Sequence, residues 1–326
     1  GDVYACVYNG DIYKQTGGTG DFIALGQTNR DWRGITSSPQ GAIIAADKDT
    51  GIYALKYYMQ PRQNLLINSN FDFWQEATSL SSGTGQRRSS DGGLTLSTGT
   101  TYTESRQSFT NGQTSVPNGP KYYKRVVTSS VAGSGNLCLV AFESESLELT
   151  ADKKITFSFW IKADATKNIA VEFDQKFGTG GSSSVTGISV KKQKITTSWQ
   201  RYSFTADMPS IAGKTIGSTP GVIRAYIWFD AGSNFNSRTD SLGQQSGTFD
   251  IAQAKLEIGS FATDWEPYNL ADELVKCQRY CEKTYDDYTD PGTATSVGAL
   301  HFAYIAASTT GGENFKVNKA YAPTVT

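Results

Sequence analysis

The 326-residue chain is poor in histidine, methionine, cysteine and charge, with 1 His, 2 Met, 4 Cys and 19 % charged residues. Cys277 and Cys281 have no second Cys or His pair to complete a zinc site, and the isolated His301 has no G-x-S-x-G motif near a nucleophile to form a triad. Lys plus Arg is 30 against 31 for Asp plus Glu, so no basic excess favours nucleic acid. No apolar run approaches the ~18 residues that a membrane helix needs. We therefore predict no nucleic-acid partner, no membrane insertion and no organic cofactor.

The remaining composition favours strands and turns. The chain has 33 glycines, and 12 % of its residues are aromatic. Its four scattered cysteines do not make a disulfide scaffold, so we predict small buried thiols. The chain begins Gly1-Asp2-Val3 without a methionine, and we expect it to be a piece of a longer protein.

The first 56 residues contain an internal repeat. Residues 1–13 read GDVYACVYNGDIY and residues 41–53 read GAIIAADKDTGIY, at an offset of 40. Each copy predicts a strand, a turn and a strand, and residues 22–25 and 32–35 add short strands between them. This period indicates a β-propeller-like blade over 1–56, and an ordinary pair of hairpins is the alternative. Residues 57–64, with Pro61, are predicted to be a linker.

Residues 65–268 have the pattern of a β-sandwich. Short alternating segments recur between Gly- and Ser-rich connections, which favours an all-β jelly roll. The predicted strands are 65–67, 122–127, 155–161, 169–173, 198–205, 222–229 and 249–258. Residues 78–120 are polar and irregular, so we predict long surface loops there.

Several blocks of this region resemble one family. Residues 64–74 (NLLINSNFDFW), 156–163 (TFSFWIKA), 196–204 (TTSWQRYSF), 249–267 (FDIAQAKLEIGSFATDWEP) and 276–283 (KCQRYCEK) occur in one order. Together they resemble the jelly roll of phage tail fibres and tailspikes, which is similar to carbohydrate-binding modules of glycoside hydrolases. The resemblance implies a homotrimer in the tail fibre of a virion that binds a host surface glycan beside other tail proteins.

The strand alternation indicates which residues would bind the glycan. In VIRAYIWF, ITFSFWI and IAVEF one parity is wholly apolar and is predicted to be core. The other parity carries aromatic and acidic side chains, and these suit a sugar ring and its hydroxyl groups. The predicted glycan-binding residues are Trp160, Glu172, Asp174, Tyr226, Trp228 and Asp230. The alternative is that loops or a partner subunit cover these side chains.

The same resemblance implies a structural calcium that ties the first strand of the jelly roll to the last. The matching positions are Asn70, Asp72 and Asp250. The alternative is that Asp72 and Asp250 are ordinary exposed carboxylates.

The end of the chain is predicted to be an assembly element. Residues 269–285 favour a helix with Asn269 as its N-cap. A stripe on this helix is spaced like a heptad repeat and consists of Leu270, Leu274, Cys277 and Cys281. So short a helix is unstable alone. We therefore predict that the stripe packs either on its own sandwich or on the same helix of two other chains, as a trimer seam. Residues 286–326, with strands over 297–307 and 315–317, are predicted to begin a C-terminal β-domain.

Two functions other than adhesion stay open. One is a purely structural connector of the tail fibre. The other is a glycan depolymerase, which would need two carboxylates at a defined separation. The candidate carboxylates are Glu143, Glu145, Glu172, Asp174 and Asp230. They form no recognisable signature, so we predict that the chain is not an enzyme.

Overall fold

The computed structural model describes residues 62–80, 91–286, 289–297 and 315–320, and elsewhere only the backbone of strands within 1–55 and 79–87. The chain divides into two compact units. The first comprises residues 1–62 and 261–264, and the second comprises 63–260 and 265–326. The boundary at residue 62 lies inside the predicted linker. Among the described residues, no helix is long and apolar enough to cross a membrane.

The first unit contains two three-stranded antiparallel sheets, ordered β1-β2-β3 and β4-β5-β6. The strands are Val3–Cys6, Ile12–Gln15, Ile23–Ala24, Trp32–Ser37, Ile43–Asp47 and Gly51–Leu55 (β1 to β6). Both predicted strand-turn-strand copies therefore form hairpins, β1 with β2 and β5 with β6. Their assignment to a propeller blade stays a prediction.

The second unit is a jelly-roll β-sandwich of two six-stranded antiparallel sheets. The strands are Ser79–Ser81, Gly85–Arg87, Gly93–Thr98, Thr101–Ser108, Tyr122–Ser129, Leu137–Ser144, Lys154–Ala163, Lys167–Lys176, Val185–Ile195, Gln200–Asp207, Val222–Ala231 and Gly247–Ile258 (β7 to β18). We call β16-β13-β18-β11-β10-β7 the front sheet and β15-β14-β17-β12-β9-β8 the back sheet. Short helices are Leu147–Thr150 (α1), Asn236–Thr239 (α2) and Leu270–Gln278 (α3), and Ser233–Phe235 is a 3-10 turn.

The core lies between the two sheets, where the predicted inward parity points. Phe157 and Phe159 from the front sheet and Phe173 and Phe229 from the back sheet are fully buried there. The apolar parity of all three alternating segments is confirmed, with each member at most 1 % exposed: Phe157, Phe159, Ile161, Ile169, Val171, Phe173, Ile223, Ala225, Ile227 and Phe229. Burying this apolar surface stabilises the sandwich.

Two predictions within the sandwich are wrong. Residues 65–67 form no strand, although Leu65 donates from its backbone to Leu256 of β18 at 2.8 Å. The prediction of long loops over 78–120 is wrong for 79–108, where β7, β8, β9 and β10 lie, whereas residues 109–120 contain no strand. Strand β10 is polar apart from the buried Tyr102, and its Glu104 is buried against Lys124 at 2.6 Å. Because this ion pair lies inside the sandwich, the strand lacks the apolar alternation by which strands are predicted from sequence.

The C-terminal helix is shorter than predicted. Helix α3 begins after Asn269, whose side chain accepts from the backbone N–H of Ala271 at 2.8 Å, and it ends at Gln278 rather than at 285. The predicted strand at 315–317 is also wrong, because the described residues 315–320 contain no strand. Ala320 instead donates to the carbonyl of Arg279 at 3.0 Å, which ties this segment to the end of α3. The strand predicted over 297–307 lies outside the described residues except for Val297, which is in a turn.

Candidate functional site

Five of the six predicted glycan-binding residues are buried, so the prediction of an exposed groove formed by them is wrong. Trp228 and Glu172 lie on the outer face of the back sheet, as the alternation predicted, but both are 0 % exposed. The turn at Ser233–Phe235, helix α2 and the following residues cover that face. Phe235 packs on Trp228 with ring centroids 5.4 Å apart. We call residues 233–246 the cap.

The carboxylate of Glu172 is held from three directions. Arg238 of the cap donates to both carboxylate oxygens, from Nε at 3.1 Å and also from Nη2. Trp228 Nε1 donates to the same group at 3.2 Å, and the backbone N–H of Gly187 donates at 2.9 Å. Burial raises the pKa of Glu172, and Arg238 opposes that rise. This carboxylate fixes the cap onto the back sheet.

The two other buried acids of the set are also structural. Asp174 accepts from the Tyr226 hydroxyl at 2.5 Å and pairs with Lys176 at 3.2 Å, and burial raises its pKa. Asp230 accepts from Thr100 Oγ1 at 2.5 Å and from the backbone N–H of Gln245 at 2.7 Å. Neither side chain reaches solvent. Each acid therefore has partners on the back sheet, where a buried acid without any would be costly, and Asp174 Oδ1 alone accepts no hydrogen bond.

Trp160 is the one member of the predicted set that remains partly exposed. It lies on β13 of the front sheet, opposite Arg201 of β16 and Ala252 of β18. Its parity is outward, since Phe159 and Ile161 on either side are in the core. The outer face of the front sheet is therefore the surface on which partly exposed aromatic side chains should be sought.

Three further aromatic residues meet on this face, and we call them the aromatic patch: Phe109, Tyr123 and Trp199. Each is partly exposed. The ring centroids of Phe109 and Tyr123 are 4.8 Å apart, and Trp199 lies 5.3 Å from Phe109 and 5.5 Å from Tyr123. Trp199 precedes β16, yet it contacts a residue of β11. It therefore extends over the neighbouring strands β13 and β18.

A row of charged side chains runs beside the patch. Arg125 donates to both oxygens of Asp250, from Nε at 2.7 Å and from Nη2 at 2.8 Å. Lys162 Nζ lies 3.6 Å from the same carboxylate and 5.3 Å from the centroid of Trp199. Asp250 is only 3 % exposed, whereas the side chains of Arg125 and Lys162 are 33 % and 31 % exposed. We call these three residues the ion row. Asp250 fixes two cations whose outer surfaces remain in contact with solvent.

The sequence-based search missed most of this site. Phe109 directly follows β10, and this part of the chain was predicted to be a loop. Tyr123 and Arg125 share a parity in residues 122–127, so the alternation could have placed them together on one face. Trp199 lies in the turn between β15 and β16, where alternation carries no information. Only the three-dimensional structure brings Trp199 onto Tyr123.

Of the predicted calcium residues, Asn70 and Asp72 lie together, whereas Asp250 is bound by Arg125 of β11. Asp72 accepts from the Tyr268 hydroxyl at 2.8 Å and from Asn70 at 3.3 Å, while both oxygens of Asp250 bind Arg125. The part of the chain that the structure describes contains no group of three or more His, Cys, Asp or Glu side chains able to hold a metal. These residues do not fit the calcium that the resemblance implies, because a guanidinium already occupies the Asp250 carboxylate.

The predicted trimer stripe is divided between two environments. Cys277 is 0 % exposed in its own sandwich, which is wrong for a seam residue, while Leu270 is 57 % exposed. Leu270 and Leu274 line a cavity of about 280 Å³ with Trp74 and Tyr122. Cys281 is partly exposed. Burial raises the pKa of the Cys277 thiol and, to about 12, that of Cys281, as expected for unreactive apolar groups.

No family model matches the chain, and no curated protein matches it. Among solved structures, it is similar to the tailspike protein 4 enzymatically active domain of bacteriophage CBA120, at 12 % identity and a TM-score of 0.32, over 60 % of this chain and 21 % of that one. The chain thus spans about a fifth of that tailspike domain.

Two carbohydrate-binding modules are also similar. A family 11 module from Clostridium thermocellum, solved with a mixed-linked tetrasaccharide, has 12 % identity and a TM-score of 0.30, over 56 % of this chain and 100 % of that one. A module of the β-sandwich superfamily with promiscuous specificity has 9 % identity and a TM-score of 0.35, over 78 % of this chain and 96 % of that one. At such low scores, what these proteins bind does not transfer to this chain.

Proposed function

We propose that the sandwich is a non-catalytic glycan-binding module and that its ligand lies on the outer face of the front sheet. The observation that carries the proposal is the aromatic patch beside the ion row. A sugar ring presents C–H groups that pack on aromatic faces, and its hydroxyl groups bind charged side chains.

The register of the front sheet supports an extended ligand. Lys162, Asp250 and Arg125 are cross-strand neighbours, and the same row continues through Ser105 of β10 to Ser79 of β7. Five strands at a spacing of about 4.8 Å give a row of roughly 19 Å. Charged groups at one end and hydroxyl groups at the other suit an oligosaccharide better than a single sugar.

The test is binding of the full chain to an array of bacterial surface polysaccharides, compared with the variant Trp199→Ala. We expect the array to identify at least one ligand, and the variant to bind it at least tenfold more weakly. Phe235→Ala is the matched control, because it removes an aromatic residue from the cap on the opposite sheet. Equal binding by wild type and Trp199→Ala, or loss of binding only in Phe235→Ala, would exclude the front-sheet site.

We further propose that this module belongs to a tail-fibre protein of a virion. That protein would attach the virion to its host as a homotrimer, beside other tail proteins. It rests on the resemblance of the sequence blocks. A trimer would carry three copies of a weak site, and binding through several copies at once raises the overall affinity. The mass of the chain in solution, measured by light scattering, tests it: the mass of three chains is expected, and a monomer would remove the trimer from the proposal.

The two alternatives make different use of the same residues. A connector would bury the aromatic patch against a neighbouring protein, and no glycan on the array would bind. A depolymerase would need a free carboxylate pair. Among the described candidates, Glu143 is paired with Arg224 at 2.5 Å and Glu145 with Arg279 at 2.8 Å, and Glu172, Asp174 and Asp230 are held as described above. Release of reducing ends from a bound polysaccharide would favour the depolymerase.

A further inference from the structure

The front-sheet face carries more positive than negative charge, although the whole chain is nearly neutral at −1. Arg125 and Lys162 both pair with one carboxylate, that of Asp250. A third cation, Arg201, lies opposite the neighbouring Trp160, and its Nη2 donates to Ser158 at 3.2 Å. Arg125 and Lys162 thus share one acidic residue, and Asp250 is buried beneath them.

The other acids with outward parity on the same sheet have cations of their own. Glu257 lies 3.8 Å from Lys255, and Asp207 pairs with Lys154 at 2.5 Å at the far end of β13. Because each of these pairs is neutral overall, they do not change the net charge around Arg125, Lys162 and Asp250. We infer that the glycan bound on this face is acidic and carries carboxylate groups, which meet the outer surfaces of Arg125 and Lys162. This inference rests on the proposed function and specifies the ligand of that same site.

The geometry gives a physical reason for this preference. A guanidinium presents five donors in a planar fork, and Asp250 uses only two of those on Arg125. The bidentate bond also fixes the orientation of the guanidinium before any ligand arrives, which lowers the entropy cost of binding. Lys162 is held over Trp199, so a sugar that packs on the patch would bring its carboxylate close to the ammonium group.

The experiment compares each array ligand in its native form and after chemical reduction of its carboxylates to alcohols, by calorimetry at two salt concentrations. We expect reduction to weaken binding at least tenfold, and added salt to weaken only the native form. Lys162→Gln should remove most of this difference, and it leaves the Arg125–Asp250 pair in place so that the fold is retained. Lys154→Gln is the control, because it removes an exposed lysine from the other end of the same strand.

Each result separates the two proposals. Equal binding of native and reduced ligands, with loss of both in Trp199→Ala, would overturn the acidic preference and leave the glycan-binding site standing. Absence of binding to any form would overturn the proposed function itself. A charge effect that survives undiminished in Lys162→Gln would place the acidic group elsewhere and overturn the assignment to this face.

Discussion

Arg238 donates to both carboxylate oxygens of Glu172, and this pair joins the cap to the back sheet directly above Trp228. Glu172 is fully buried, whereas the Arg238 side chain is 28 % exposed. The guanidinium therefore neutralises a carboxylate that water cannot reach. Glu172 of β14 and Trp228 of β17 thus lie beneath the cap rather than in an exposed groove.

Removing the arginine should destabilise the sandwich. The variant Arg238→Met leaves the Glu172 charge buried without its cation, which costs about 3–5 kcal/mol in comparable buried pairs. Urea unfolding of the variant and of the wild type measures the difference. Lys154→Met is the matched control: its pair with Asp207 is exposed, so a change of under about 1 kcal/mol is expected. Equal effects in both variants would contradict the role given to Glu172.

Asp91 should make stability depend on pH. Its carboxylate is buried and accepts from Gln75 Nε2 at 2.9 Å, and burial raises its pKa from 3.8 to about 7. The folded state therefore holds the proton more tightly than the unfolded state. The stabilisation is complete below the unfolded pKa and is lost as the pH rises through the folded pKa. A rise of this size corresponds to up to about 4 kcal/mol between pH 4 and pH 7.

The check for Asp91 is a series of urea-unfolding midpoints between pH 4 and pH 8 for wild type and Asp91→Asn. The free energy of unfolding of the wild type should fall relative to the variant as the pH rises. Asp207→Asn, which changes an exposed acid, should follow the wild type. Parallel curves for the wild type and Asp91→Asn would show that the pKa of Asp91 is not raised.

Two glycines of one loop should respond differently to alanine. Gly178 and Gly180 both have a φ of +75°, but a Cβ on Gly178 would lie 2.1 Å from the carbonyl oxygen of Thr219, whereas nothing lies within 4 Å of one on Gly180. Gly180→Ala should cost only the backbone strain, about 1–2 kcal/mol. Gly178→Ala adds a clash with backbone, so we expect about 3 kcal/mol or more. Thermal unfolding of both variants checks the order, and an equal loss would contradict it.

Local sequence determined the strands that alternate cleanly. Phe157, Phe159 and Ile161 identify the inward face of β13 without reference to any other element, because a strand has a period of two and only one face needs to be apolar. The N-cap of α3 at Asn269 is equally local, since it depends on a side chain and a backbone two residues later. The two-sheet sandwich follows from the number and spacing of such segments.

Only the tertiary structure decided which outward faces meet solvent. Alternation places Trp228 and Trp160 alike on outward parities, yet the cap covers Trp228 and leaves Trp160 partly exposed. Covering depends on where residues 233–246 pack, and that packing is fixed by long-range contacts such as the one between Arg238 and Glu172. The aromatic patch likewise joins Phe109, Tyr123 and Trp199 across distant parts of the chain. Because side-chain proximity between strands is set by sheet order, no local pattern could reveal it.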